Sequence, residues 1–181
     1  MKIKYNSPVI LTYAILSIGV LFFCTKGVVA LYFSSPFAMS FSSPYFYFKL
    51  ISYIAGHGGW SHLTGNLTII LLVGPLLEEK YGSGKLLEMI VVTAVATGLL
   101  NAVLFSTSVM GGSGIAFMLI LLSSFSNIKA GQLPLTFILI AVLFIGSEII
   151  SSLQVDRISQ FSHLAGSVIG AGYGFLRSKG R

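Results

Sequence analysis

The segment His57-Gly-Gly-Trp-Ser-His62-Leu-Thr-Gly-Asn66 places two histidines and an asparagine at the start of a long apolar run. Two further polar clusters precede later apolar runs: Gly111-Gly112-Ser113-Gly114 and Ser162-His163-Leu-Ala-Gly166. Together the clusters contain all three histidines of the chain. Placing polar and ionisable side chains inside a membrane costs free energy, so such residues are interpreted first as functional. The pattern therefore predicts an active site built within the bilayer.

The composition is that of a membrane protein. The chain has 181 residues, of which 55% are hydrophobic and only 9% are charged, whereas a soluble domain has about 25% charged residues. We expect one domain over residues 1–181. The net charge of +6 comes from basic residues scattered at helix ends, which indicates topology rather than a nucleic-acid partner. The single cysteine, Cys24, excludes an internal disulfide and a cysteine-based metal site, and we expect no metal and no cofactor.

Hydrophobic runs predict an all-α membrane protein with six transmembrane helices. The predicted helices are Pro8–Thr25, Ser61–Tyr81, Lys85–Phe105, Ser113–Ser126, Pro134–Leu153 and Ser162–Leu176. The first run is longer than the hydrophobic region of a signal peptide, so we interpret it as a retained span. The stretch 26–60 is rich in Phe, Tyr, Ser and Pro, and predicts a long loop lying in the membrane interface.

Basic residues predict that both termini are inside. Eight would be cytoplasmic and three, Lys26, Lys49 and Arg157, would be outside. The three polar clusters then lie at the outer ends of helices two, four and six. Counting back from the inner ends at about 1.5 Å per residue places each cluster roughly 10 Å below the outer surface. Short fourth and sixth helices would leave an outward-facing water cavity above them.

The residues in the clusters suit acyl transfer. A serine hydroxyl becomes nucleophilic when a neighbouring base takes its proton, and Ser113 with His163 supplies such a dyad. His62, Asn66 and the backbone N–H of Ser113 could stabilise the oxyanion. Gly166, Gly170 and Gly174 form a small-residue stripe, which we expect to hold helix six against helix four beside Gly114. Taken singly, these signals are weak: G-x-S-G is often a flexible turn, and each histidine could serve helix packing, proton transfer or metal binding.

In combination these residues resemble the rhomboid intramembrane serine proteases. The H-x4-H-x3-N pattern of that family is matched by His57, His62 and Asn66. Its G-x-S-G is matched by Gly111–Gly114, and its H-x-x-G by His163 and Gly166. The segment from Glu78 to Lys85 is similar to the family's E-x-x-x-G-x-x-K.

The resemblance implies a six-helix rhomboid-like bundle that cleaves transmembrane protein substrates in the lipid bilayer. Ser113 would be the nucleophile, His163 the general base, and His62 with Asn66 part of the oxyanion hole. His57 would be structural, with Gly111, Gly114, Gly166 and Gly170 as supporting positions. Helix five would be the mobile wall through which substrate enters. We expect the plasma membrane of a prokaryote, with the site open to the extracytoplasmic side.

Two positions depart from the family pattern. Phe48-Lys49 stands where the family often has Trp-Arg, and lysine lacks the planar donor fork of arginine. Phe117 stands where a tyrosine commonly stacks on the catalytic histidine, and it keeps the ring without the hydroxyl.

Two other functions are compatible with parts of the pattern. The first is a non-catalytic rhomboid-like protein that escorts membrane clients, which would be expected to lack the serine or the histidine. The second is a small transporter that uses histidines for proton or ion transfer, which would need paired charges along a pathway. Labelling by a serine-directed fluorophosphonate separates the enzyme from both.

Overall fold

The computed structural model describes residues 5–125, 135, 138–139, 142–143, 146 and 159–178, and this part of the chain is helical with no β-strand. Seven α-helices and one 3₁₀ turn have both ends within the described residues. They are α1 (Pro8–Phe23), α2 (Lys26–Tyr32), α3 (Pro44–Ser52), the 3₁₀ turn Tyr53–Ala55, α4 (Trp60–Tyr81), α5 (Ser83–Leu104), α6 (Ser113–Phe125) and α7 (Ser159–Ser178).

Among the described helices, two are long and apolar enough to cross a membrane. Helices α4 and α5 have 22 residues each, which at about 1.5 Å per residue exceeds the roughly 30 Å of a hydrocarbon core. They correspond to the predicted second and third spans. Helices α1 and α6 are shorter and apolar, and they match the predicted first and fourth spans. The predicted fifth helix, Pro134–Leu153, lies mostly outside the described residues, so the six-span topology stays a prediction.

The sixth helix is longer than predicted. Helix α7 has 20 residues and begins at Ser159 rather than Ser162. His163 therefore lies in the second turn of the helix rather than at its start. The predicted start followed the hydrophobic run, whereas the helix also includes the polar residues Ser159 and Gln160, neither of which is a helix breaker.

The first loop is partly helical, which the sequence did not predict. Helix α2 begins after Thr25, whose side-chain oxygen accepts a hydrogen bond from the backbone N–H of Val28 at 3.4 Å. Helix α3 begins at Pro44, a residue whose fixed φ suits the first helical position. The rings of Phe37, Phe41 and Tyr47 remain exposed. This exposure is compatible with the predicted interfacial location.

Helices α1 and α4 run antiparallel and are joined by a buried carboxylate. Glu78, near the end of α4, accepts backbone hydrogen bonds from Val9 at 2.9 Å and from Ile10 at 3.1 Å. Its Oε1 also accepts from the Ser83 hydroxyl at 2.7 Å. The first N–H groups of a helix have no partner within the helix. Glu78 supplies that partner for α1 and ties the helix to the α4–α5 turn.

The glycine stripe of α7 faces α5, and the prediction that it faces the fourth helix is wrong for two of its three members. A Cβ at Gly166 would overlap the hydroxyl oxygen of Thr97, and one at Gly170 would overlap that of Thr93. Gly170 follows Gly166 along α7, whereas its neighbour Thr93 precedes Thr97 along α5, so these helices are antiparallel. The sequence shows which face of α7 is small, but not which neighbour occupies it.

Helices α6 and α7 run parallel and also pack closely. The hydroxyl of Ser167 donates to the backbone oxygen of Gly114 at 2.7 Å. Further along, a Cβ at Gly174 would lie 3.0 Å from Leu122 and 2.8 Å from Met89 on α5. The close approach expected between α6 and α7 is therefore present, but it is made by Ser167 against Gly114 and by Gly174 against Leu122.

Candidate active site

Ser113 is the first residue of α6 and is buried. The backbone oxygen of Gly112 accepts the first helical hydrogen bond, from Ala116 at 2.9 Å. Gly111 has φ +123°, a conformation that side-chain-bearing residues rarely adopt. Its N–H donates to the carbonyl oxygen of Tyr53 at 3.0 Å. The G-x-S-G segment is therefore a sharp turn into a helix, fastened to the 3₁₀ turn.

His57 connects this turn to α4. Its Nε2 lies 3.3 Å from the backbone nitrogen of Gly112 and 3.2 Å from the side-chain nitrogen of Asn66. Its Nδ1 lies 3.2 Å from the carbonyl oxygen of Ala55. A carbonyl oxygen can only accept, so we assign the ring proton to Nδ1. Nε2 is then the acceptor shared by the Gly112 N–H and the Asn66 amide.

The surroundings of His57 favour this neutral form. The ring is 2% exposed, and burial lowers the pKa of His57 to about 4, assisted by the nearby His62 ring. The two rings meet edge to face with centroids 5.1 Å apart. A neutral imidazole keeps one nitrogen as donor and one as acceptor, which both sets of contacts require.

His62 and Asn66 lie directly against Gly111. A Cβ at Gly111 would be 2.8 Å from Cε1 and 2.9 Å from Nε2 of His62, and 3.4 Å from the amide nitrogen of Asn66. Both side chains project from the same face of α4, four residues apart. The structure thus brings the three members of the first polar cluster to the second cluster, as the sequence predicted.

The loop between α5 and α6 is held by Ser35 and Asn101, which sequence reasoning did not single out. The side-chain amide of Asn101 donates to the carbonyl oxygen of Thr107 at 2.6 Å and to the hydroxyl oxygen of Ser35 at 3.2 Å. Ser35 also exchanges two hydrogen bonds with the backbone of Val109, at 2.9 and 2.7 Å. An asparagine within a predicted span was an available signal, because a polar group at that depth needs a partner.

The third cluster is described only in part. His163 belongs to α7, but its side chain lies outside the described residues, so its contacts with Ser113 and with Phe117 stay predictions. Phe117 itself is buried in the core. Gly114 and Gly166 each make a close helix contact, to α7 and α5 respectively. Among the described residues, no group of three or more His, Cys, Asp or Glu side chains is arranged to hold a metal ion.

The Phe48-Lys49 pair lies on α3. Phe48 is half exposed, and its ring lies edge to face with that of Phe33. Lys49 is 7% exposed, with its Nζ 5.5 Å from the ring centroid of Tyr45. Burial lowers the pKa of Lys49. The lysine side chain therefore packs within the first loop and contacts an aromatic face there.

Comparison with known proteins gives a consistent result. A family model described as the Rhomboid domain matches residues 44–180. Rhomboid protease GlpG of Haemophilus influenzae is 26% identical over 134 residues, covering 72% of this chain and 70% of that protein. Rhomboid-related protein 1 of Caenorhabditis elegans is 26% identical over 139 residues, covering 71% of this chain and 39% of that protein.

Rhomboid-like protein 11, chloroplastic, of Arabidopsis thaliana is 22% identical over 174 residues, covering 87% of this chain and 60% of that protein. The chain thus spans between two fifths and seven tenths of the length of these relatives. Relatives with this domain name occur in a bacterium, an animal and a plant. The family model covers His57, Ser113 and His163 alike, and with the two long apolar helices it indicates an integral membrane protein. This chain belongs to the rhomboid family.

Proposed function

We propose that this chain is an intramembrane serine endopeptidase that hydrolyses peptide bonds in or near transmembrane segments of other membrane proteins. Membership in the rhomboid family and similarity to a protein named as a rhomboid protease support a protease. The observation that carries the proposal is the convergence of His57, His62 and Asn66 on the two glycines that precede Ser113.

In the proposed reaction, Ser113 Oγ attacks the carbonyl carbon of the scissile peptide bond. His163 takes the serine proton and later gives it to the departing amine, after which water hydrolyses the acyl-enzyme. Support comes from the parallel packing of α6 and α7. Ser167 bonds to Gly114, the residue after Ser113. His163 is one helical turn before Ser167, on the same helix face.

The oxyanion of the tetrahedral intermediate needs donors in a fixed position. We assign this role to the amide of Asn66, the imidazole of His62 and the backbone N–H of Ser113. The contact of both side chains with Gly111 supports the assignment. An amide group carries two N–H donors, and the bond to His57 engages one of them. The second is the one we assign to the oxyanion.

Helix α6 is short enough to leave room for water. Its 13 residues extend for about 20 Å, against about 30 Å for the hydrocarbon core. We propose that Ser113, at its start, opens to an outward-facing cavity, with the N- and C-termini inside and the fifth helix as the substrate entrance. The substrates are transmembrane proteins, and the membrane is the plasma membrane of a prokaryote.

The test is labelling and cleavage by the full chain in detergent and in liposomes. A fluorophosphonate should label the parent, and Ser113→Ala should lose both labelling and cleavage of a transmembrane substrate. His163→Ala should lose as much cleavage activity as Ser113→Ala, and the double variant should lose no more, because the two residues act as a unit. Ser123→Ala, the same change ten residues along α6 where the hydroxyl donates to Ile120, should keep the parent rate.

Two results would contradict the proposal. Substantial cleavage by Ser113→Ala would exclude it as the nucleophile. A folded parent that neither cleaves nor reacts with the probe would instead support the non-catalytic, client-binding alternative.

A further inference from the structure

Tyr13 is a buried tyrosine on α1, outside the 44–180 segment that matches the family model. Its ring is 8% exposed, and its hydroxyl donates to the carbonyl oxygen of Ile54 at 2.7 Å. The hydrogen bond joins residues 41 positions apart. A hydroxyl within an apolar helix needs such a partner, because the bilayer provides none.

The acceptor of this bond lies in the middle of the 3₁₀ turn Tyr53–Ala55. The carbonyl oxygens of all three turn residues are engaged by groups at or beside the candidate site. That of Tyr53 accepts from Gly111 N–H, that of Ile54 from Tyr13, and that of Ala55 from His57. The turn therefore orients both Gly111 and the ring of His57, which accepts the hydrogen bond from Gly112 N–H. Tyr13 holds the turn in place through its hydrogen bond from α1.

Tyr13 also touches the serine-bearing segment directly. A Cβ at Gly112 would overlap the hydroxyl oxygen of Tyr13, and it would lie 3.1 Å from Cζ of the same ring and 3.2 Å from Cδ1 of Ile70. The hydroxyl thus occupies the space beside the residue immediately before Ser113. One atom serves both as a donor to the turn and as a packing contact for Gly112.

We propose that Tyr13 is a positioning residue for the reaction at Ser113. It acts through the 3₁₀ turn and through Gly112, and it sets the place of the Ser113 backbone N–H and hydroxyl. The proposal rests on the proposed protease function.

The first experiment removes only the hydroxyl. In Tyr13→Phe, the Ile54 carbonyl loses its donor and Gly112 loses its contact. We expect kcat for a transmembrane substrate to fall about 10- to 100-fold, the range that a displacement on the order of 1 Å can produce, while KM stays near the parent value. The rate of fluorophosphonate labelling should fall in parallel. Tyr47→Phe is the matched control, because Tyr47 donates its hydroxyl to Phe41 in the exposed part of the first loop.

The second experiment tests the contact between Tyr13 and Gly112 by steric rescue. Gly112→Ala alone should be nearly inactive, because its methyl group overlaps the Tyr13 hydroxyl. In the double variant Tyr13→Phe/Gly112→Ala the overlap is removed, and the nearest remaining atoms are at 3.1 and 3.2 Å. The double variant should therefore have a higher kcat than Gly112→Ala. Equal or lower activity of the double variant would overturn the proposed contact.

A third measurement separates a local effect from a loss of fold. Amide hydrogen exchange of the full chain in detergent should accelerate in residues 110–113 of Tyr13→Phe and stay unchanged in α5. Acceleration throughout the chain, or none near Gly112, would overturn the proposal. If the parent cleaves and Tyr13→Phe has the parent kcat, the positioning role fails while the protease function stands. If the parent shows no Ser113-dependent cleavage, it is the protease function that fails.

Discussion

His57 is the residue at which the first loop, α4 and the segment before Ser113 meet. It carries no assigned chemical step, yet its two ring nitrogens fix three groups: the carbonyl of Ala55, the amide of Asn66 and the N–H of Gly112. A lysine or arginine could not replace it, because neither side chain offers an acceptor. At the scale of single residues, the order of the site depends on an imidazole that stays neutral.

That neutrality predicts how stability depends on pH. The pKa of His57 is about 4 in the folded chain, whereas an exposed histidine titrates near 6.5. Between these pH values the unfolded chain binds more protons than the folded one. The contribution of His57 to the free energy of unfolding is therefore fully present above about pH 6.5, and it decreases as the pH falls toward 4. In His57→Gln this contribution disappears. The apparent Tm in detergent should be lower than in the parent at neutral pH, and it should depend less steeply on pH between 4 and 6.5.

The other two histidines remain in that variant, so the comparison isolates one ring. An unchanged slope in His57→Gln would mean that the acid sensitivity arises elsewhere and that His57 is not the buried neutral group described above.

Which residues lie near Ser113 could be predicted from the sequence better than the hydrogen bonds that these residues make. The spacing of His57, His62 and Asn66 was sufficient to place them on or beside one helix face and near Ser113. The shared acceptor role of His57 Nε2 could not be predicted, because it depends on the 3₁₀ turn that engages Nδ1. Tyr13 gave only a weak signal, a hydroxyl in an apolar run. Its partners lie 41 and 99 residues away in the sequence, beyond any local pattern.

Among the helices, the apolar ones were predictable, and the two short helices of the first loop were not. Helices α4 and α5 agree with their predicted ends within two residues, because each is a long and predominantly apolar segment that follows a glycine and ends at a polar or glycine-rich connection. Helices α2 and α3 have 7 and 9 residues and lie within an aromatic stretch that has no span-length run. Their formation depends on a local cap at Thr25 and a proline start at Pro44 rather than on hydrophobic length.

The contact of α7 with α5 yields a prediction at the scale of helices. Gly170→Leu places a side chain where the hydroxyl of Thr93 lies, so the helices must separate. Overpacking of this kind typically costs about 1–3 kcal/mol. We expect a lower Tm in detergent. Because α7 also carries His163, we expect a loss of cleavage on the order of 10²-fold as well.

Val168→Leu is the control, since Val168 is exposed on the opposite side of α7. It should melt and cleave like the parent. If Gly170→Leu does the same, then α7 does not pack through its glycine face.

At the scale of the whole molecule, the directions of the helices agree with the predicted topology. Helices α1 and α4 are antiparallel, as are α5 and α7, while α6 and α7 are parallel. The parallel direction of α6 and α7 is the one expected if the predicted fifth span lies between them, and that span stays a prediction. The inside location of the termini is supported by the basic residues alone.

Cysteine accessibility tests this orientation. In a Cys24→Ser background, a membrane-impermeant maleimide should label Ser40→Cys in intact cells, because the first loop is predicted to be outside. Gly84→Cys lies in the first turn of α5, where a new side chain meets no atoms within 4 Å, and it should react only after the cells are opened. Reversed labelling would place the candidate site on the cytoplasmic side.

The hydrogen bond between Tyr13 and Ile54 and the carboxylate cap from Glu78 on α1 have a consequence for biosynthesis. In helix α1, the Tyr13 hydroxyl and the N–H groups of Val9 and Ile10 bind residues that are made 41 to 69 positions later. The contact of His57 with Gly112 likewise forms only after Gly112 has been made, and the proposed dyad forms only after His163 has been made. A nascent chain can thus insert its early helices long before it can cleave anything. On the proposed function, proteolytic competence is acquired only after α7 has been made.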